Sequence, residues 1–202
     1  MLAIIDALEL DRPVAAGHSK GGAALLLAEQ RRPGTFRALY CYEPVVFPPE
    51  ATPMGGTEDS PLAAGAERRR ERFESFEAAL ANYASKPPFD QLHPDALRAY
   101  VEGGFAEEPD GTVRLKCRPA DEAQVYRMGS RHGAFADLPA VRCPVTVARG
   151  AVGPGGPAAF AAAMVDVLPN GRLECHDDLG HFGPLEDPVA IAAAIQRVAD
   201  GG

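Results

Sequence analysis

The stretch Val14-Ala15-Ala16-Gly17-His18-Ser19-Lys20-Gly21-Gly22 constrains this chain more than any other. Pro13 to Gly17 reads as a short apolar strand, and residues 20–32 read as a Leu/Ala-rich helix ended by Pro33-Gly34. No loop residues separate the two, so the chain must turn sharply at Ser19. The G-x-S-x-G spacing suits such a turn. Gly17 and Gly21, two residues either side of the serine, are expected to clear the space that side chains would otherwise contest. A serine held this way is presented at the C-terminal edge of a parallel sheet. The N–H of Lys20, at the helix start, would face a developing oxyanion.

The rest of the chain continues the alternation. Leu2, Ile5, Leu8 and Leu10 repeat at helical spacing until Asp11-Arg12-Pro13. Ala38 to Tyr42 and Pro144 to Ala148 read as strands, 157–168 as a helix, Arg172 to Cys175 as a strand and 187–199 as a final helix. Strand and helix in turn predict an α/β fold, a mostly parallel sheet with helices on both faces. Residues 48–138 have a different texture. A Pro/Gly-rich loop leads to predicted helices over Glu67–Tyr83, from His93-Pro94 to Phe105, and over 120–131. The expected organisation is core over 1–47, a helical insertion over 48–138, and core again over 139–202. The run Glu67 to Arg72 is predicted to be a solvated helix face with i to i+4 ion pairs.

Composition narrows the partners. Twenty basic against 28 acidic side chains give a net charge of −8, which repels nucleic-acid phosphates and anionic membrane surfaces. The cysteines Cys41, Cys117, Cys143 and Cys175 are far apart, with no metal-ligand spacing, as in a reduced cytoplasmic protein. The first residues lack the basic start and cleavage site of a signal peptide, and no apolar run approaches the roughly 18–20 residues of a membrane span.

A nucleophilic serine needs a base, and five histidines are available. His18, inside the turn, points away from Ser19 and is expected to pack or to orient the turn. His93 and His132 fall in the insertion as surface or loop residues. His176 ends the last strand with no turn after it to carry the ring over the sheet edge. His181 lies in Leu179-Gly180-His181-Phe182-Gly183-Pro184, between the last strand and the last helix, at the same sheet edge as Ser19. His181 is the expected base.

From Met1 to its end the chain resembles the α/β-hydrolase superfamily. The resemblance rests on Gly17-His18-Ser19-Lys20-Gly21-Gly22, on Tyr42-Glu43-Pro44 after the next strand, and on Gly180-His181-Phe182 with Glu186-Asp187-Pro188. Residues 48–138 resemble the helical cap that many members insert. The resemblance implies a serine hydrolase, an esterase-like acyl hydrolase on a small-molecule ester-like substrate, with no metal or organic cofactor. Carbon–carbon bond hydrolysis or cofactor-free haloperoxidase chemistry on the same scaffold is the related possibility. Phe73, Phe76, Phe89, Phe105 and Phe135 are expected as cap core or substrate lining.

Two departures from the family stand out. Most members carry the triad acid after the strand matching Val145–Ala148, but Arg149 to Gly156 contains no carboxylate. Some haloalkane dehalogenases place the acid after the strand that follows the elbow helix, where this chain has Glu43. Glu43 is therefore the substitute acid, against a triad with no working acid; Asp177 and Asp178, on the loop of His181 itself, are weaker candidates. Family members also carry strands before the elbow and a second oxyanion N–H from the loop after one of them. None precedes Met1 here, which predicts an open elbow-strand edge prone to self-association. The expected causes are a misplaced start, a fragment or true degeneration. The alternative function is a catalytically dead remnant acting as a binding module.

Overall fold

The computed structural model describes residues 1–51, 60–129 and 132–201. In chain order the elements are α1 (Leu2–Ala7), β1 (Val14–His18), α2 (Lys20–Arg31), β2 (Ala38–Tyr42), α3 (Pro61–Glu67), β3 (Arg72–Phe73), α4 (Phe76–Ala84) and α5 (Pro94–Gly104). Then follow β4 (Phe105–Glu107), β5 (Val113–Leu115), α6 (Pro119–Met128), β6 (Val145–Arg149), α7 (Ala161–Val167), β7 (Gly171–Cys175), α8 (Gly183–Glu186) and α9 (Pro188–Ala199). The chain divides into two compact units. One holds residues 1–53, 130–184 and 189–202; the other holds 54–129 and 185–188.

The first unit is an α/β layer structure on a four-stranded parallel sheet in the order β1-β2-β6-β7. Two-residue periodicity explains why both sheet faces are covered. On β2, Leu39 and Cys41 join Val145 and Val147 of β6 in one cluster with Leu25 and Leu26 of α2 and Met164 of α7. The alternate residues Ala38, Tyr40 and Tyr42, with Ala148, meet Ile191, Ala194 and Val198 of α9. β2 is buried along its whole length, whereas β1 lies at the sheet edge and is only partly buried. Glu29 of α2 is fully buried, and its carboxylate accepts the Gly34 and Phe36 N–H groups, closing the turn into β2.

The second unit is not the purely helical body that the sequence suggests. It contains a small antiparallel sheet in the order β3-β5-β4, with Phe73 and Phe105 buried and in edge contact at 5.6 Å between ring centroids. Of the predicted helix over Glu67–Tyr83 only the stretch from Phe76 is helical, as α4; α3 ends at Glu67 and β3 lies between them. Ser75 starts α4, its side chain accepting the Ala78 N–H, and Ser60 caps α3 in the same way. The arginine run is therefore no helix face. Arg70 does pair with Glu74, but Arg69 turns inward to bind Glu122 and the hydroxyls of Tyr83 and Tyr100. Charge patterning missed this because a half-buried arginine and an exposed one look alike until the tyrosines are placed.

The insertion boundaries also differ from 48–138. Ala134 and Leu138 are buried in the first unit's core and Phe135 packs against it, so that phenylalanine belongs to the sheet unit. Residues 185–188 group with the second unit, where the His93 N–H donates to the Leu185 carbonyl. His93 caps α5, accepting the Asp95 N–H on Nδ1. Among the described residues, no helix is long and apolar enough to cross a membrane.

Candidate active site

β1 and β2 run parallel with His18 opposite Tyr42, so the residues that follow, Ser19 and Glu43, leave adjacent strand ends side by side. Both take left-handed backbone angles, φ 54° at Ser19 and φ 42° at Glu43, a conformation costly for any residue with a side chain. Backbone bonds hold each of them there. The Ser19 N–H donates to the Tyr42 carbonyl at 2.9 Å, its carbonyl accepts from Ala23 and Val45, and the Glu43 N–H donates to Ala148 at 2.8 Å.

The glycines of the turn divide differently from expectation. A Cβ at Gly17 would lie 2.7 Å from the Gly21 carbonyl carbon and the Gly22 nitrogen, so this glycine is required. A Cβ at Gly22 would sit 3.0 Å from Pro44, while one at Gly21 meets nothing within 4 Å. Gly17 thus approaches the backbone of Gly21 and Gly22, Gly22 approaches Pro44, and a side chain at Gly21 itself would meet nothing. Lys20 opens α2, which puts its N–H among those directed out of a helix N-terminus.

Glu43 is 2% exposed, and both of its carboxylate oxygens are engaged. Oε1 accepts the Gly150 N–H at 2.9 Å, and Oε2 lies 2.6 Å from His181 Nδ1. A carboxylate only accepts, so Nδ1–H is the donor of this bond, and Nε2 is the ring nitrogen that the bond leaves uncommitted. The carboxylate-free segment after β6 still contributes, through a backbone N–H. Gly150 is needed for this approach, because a Cβ there would stand 2.4 Å from the Leu179 carbonyl oxygen and 2.6 Å from that of Gly180.

His18 Nε2 is 2.8 Å from the main-chain carbonyl of His181, with ring centroids 4.7 Å apart. Burial first, and the neighbouring His181 second, hold the His18 pKa down at about 4, so the ring is neutral and donates from Nε2. Tyr42 donates its hydroxyl to the Gly180 carbonyl at 2.8 Å. Tyr42 enters the sequence reading only within Tyr42-Glu43-Pro44, with no role for its hydroxyl, and Gly150 only within a carboxylate-free segment. The only signal was positional, a tyrosine just before Glu43 and a glycine just after β6.

The remaining candidates lie elsewhere. Asp177 pairs with Arg149 at 2.5 Å with its side chain 71% exposed, and Asp178 is also exposed. His176 binds Glu174 at 2.8 Å and approaches the Tyr40 hydroxyl at 3.3 Å. His132, expected as a surface or loop residue, has both ring nitrogens buried with no hydrogen-bond partner among the described residues. Among the described residues, no group of three or more His, Cys, Asp or Glu side chains could hold a metal ion.

No family model matches the sequence, and no curated protein matches it. Solved structures do. A peroxisomal α/β-hydrolase from Saccharomyces cerevisiae superimposes with a TM-score of 0.77 at 21% identity, over 93% of this chain and 53% of that one. The chain has the α/β-hydrolase fold. An E-2-(acetamidomethylene)succinate hydrolase matches with a TM-score of 0.77 at 23% identity, over 98% of this chain and 70% of that one. An esterase from Mycobacterium tuberculosis matches with a TM-score of 0.70 at 19% identity, over 98% and 64%. The chain thus spans about half to seven-tenths of the length of these three proteins.

Proposed function

We propose that this chain carries the catalytic residues of a serine hydrolase, an esterase-like acyl hydrolase acting on a small-molecule ester. The observation that carries the reading is the pair of bonds on Glu43, Oε2 to His181 Nδ1 at 2.6 Å and Oε1 to the Gly150 N–H at 2.9 Å. A buried carboxylate so placed orients an imidazole and stabilises the imidazolium that forms when it takes a proton, without being protonated itself. The left-handed turn at Ser19, one residue before α2, supports the same reading.

In this reading Ser19 Oγ attacks the acyl carbonyl carbon while its proton passes to His181 Nε2. The carbonyl oxygen becomes an oxyanion, to which the Lys20 N–H donates. His181 then returns the proton to the leaving alkoxide oxygen as the ester C–O bond breaks, leaving an acyl-enzyme on Ser19. Water, deprotonated by Nε2, attacks the acyl carbon and releases the acid, and the proton returns to Oγ. Hydrolases and an esterase among the structural neighbours agree with this class.

A fluorophosphonate probe tests the assignment. Covalent labelling at Ser19 is expected, abolished by Ser19→Ala. A wild-type protein that stays unlabelled over hours at neutral pH refutes the hydrolase reading and favours the non-catalytic binding module.

A further inference from the structure

Three consecutive carbonyls of the His181 loop are held by three neighbouring strand ends. The Leu179 carbonyl accepts from the Ala151 N–H, just past β6, at 2.7 Å. The Gly180 carbonyl accepts from the Tyr42 hydroxyl, at the end of β2, at 2.8 Å. The His181 carbonyl accepts from His18 Nε2, at the end of β1, at 2.8 Å. Because β1, β2 and β6 are adjacent in the sheet, the loop is laid across their ends one residue per strand.

Of these three bonds, the third is made to the main chain of His181 itself. It restrains the peptide on the C-terminal side of that residue, while Glu43 restrains the far edge of the ring through Nδ1. We infer that His18 is a positioning residue, whose Nε2–H on the His181 carbonyl sets the ring of His181 toward Glu43 and toward the serine that follows His18 in the chain. His18 acts through His181 and has no part in proton transfer. Its consequence for turnover rests on the serine-hydrolase reading, whereas its hold on the His181 ring does not.

A residue that only filled space would be replaceable by another ring. His18 lies 6.1 Å, centroid to centroid, from both Tyr42 and Phe182, a setting in which phenylalanine would pack as well. His18→Phe keeps the ring and loses the donor; His18→Gln loses the ring and keeps an N–H donor. The first readout is the proton resonance of His181 Nδ1–H bonded to Glu43, followed by NMR on the full chain. A sharp signal is expected in the wild type and in His18→Gln, and a broadened or shifted one in His18→Phe. The second readout is hydrolysis of p-nitrophenyl acetate. His18→Phe is expected to lower kcat by about 10- to 100-fold with KM little changed, as a small misplacement of a catalytic group does, with His18→Gln recovering most of the loss.

A folded His18→Phe variant whose Nδ1–H signal stays sharp and unshifted overturns the inference. Should that variant not fold, His18→Gln decides, and a broadened signal there overturns it equally. Absence of fluorophosphonate labelling in the wild type would instead end the hydrolase reading, with the resonance comparison still judging the role of His18.

Discussion

Replacing Glu43 by glutamine discriminates sharply because the local bonds dictate how the amide must sit. The Gly150 N–H needs an acceptor, so the amide oxygen takes the place of Oε1, where the donor lies 2.9 Å away. The amide NH₂ then faces His181 Nδ1, at the 2.6 Å contact that the carboxylate now accepts. Two donors cannot share that contact, so Nδ1 must become the acceptor and the ring proton moves to Nε2. The nitrogen that should accept the Ser19 proton is then already protonated. A triad left with the wrong tautomer in otherwise intact geometry loses about 10⁴ in kcat, roughly 5.5 kcal/mol of transition-state stabilisation. The assay is kcat/KM for p-nitrophenyl acetate with the rate of fluorophosphonate labelling, read beside Asp177→Asn, whose exposed carboxylate pairs with Arg149 and should not matter. Glu43→Gln activity within about threefold of wild type refutes the tautomer argument. A large loss in Asp177→Asn with little in Glu43→Gln would move the acid to the loop of His181.

Two further outcomes follow from the same geometry. Gly150→Ala forces a Cβ to within 2.4 Å of the Leu179 carbonyl oxygen, and backbone there cannot yield cheaply. A destabilisation of about 1–3 kcal/mol is expected in urea unfolding, with activity lost in parallel; an unchanged midpoint refutes it. His18 is a basic group whose folded pKa is lowered, from 6.5 to about 4. The unfolded chain therefore binds this proton first as pH falls, and stability contributed at pH 7 is lost between about 6.5 and 4. The loss amounts to about 3 kcal/mol at 1.36 kcal/mol per pKa unit. Urea unfolding of wild type and His18→Gln at pH 7 and pH 4.5 should show a smaller acid loss in the variant; equal losses exclude His18 as the cause.

Sequence periodicity carries far in the sheet unit and fails in the other for a physical reason. β2 is legible because five buried residues in a row, bounded by turn residues, have few other destinations. The Ser19 turn is legible because its demands on neighbouring residues are local. β3, β4 and β5 are only two or three residues long, too short for any alternation to register, and Phe105 reads equally well as the end of α5. The site divides in the same manner. Ser19, His181 and Glu43 are reactive residue types that announce themselves, whereas the Gly150 N–H and the Tyr42 hydroxyl act through placement alone. Gly21, part of the recognised pattern, meets no neighbour that explains it.

The packing around Gly150 limits where the acid of the proposed triad could stand. A carboxylate cannot be introduced at this position by Gly150→Asp, because the first carbon of any side chain would already collide with two main-chain oxygens of the histidine loop. At this site the backbone amide and a carboxylate are mutually exclusive occupants. Moving the acid to the strand end of β6 thus requires the loop from Leu179 to His181 to be rebuilt, and not a single exchange of residues. In the proposed triad, the position of the acid is a property of the loop's path as much as of Glu43.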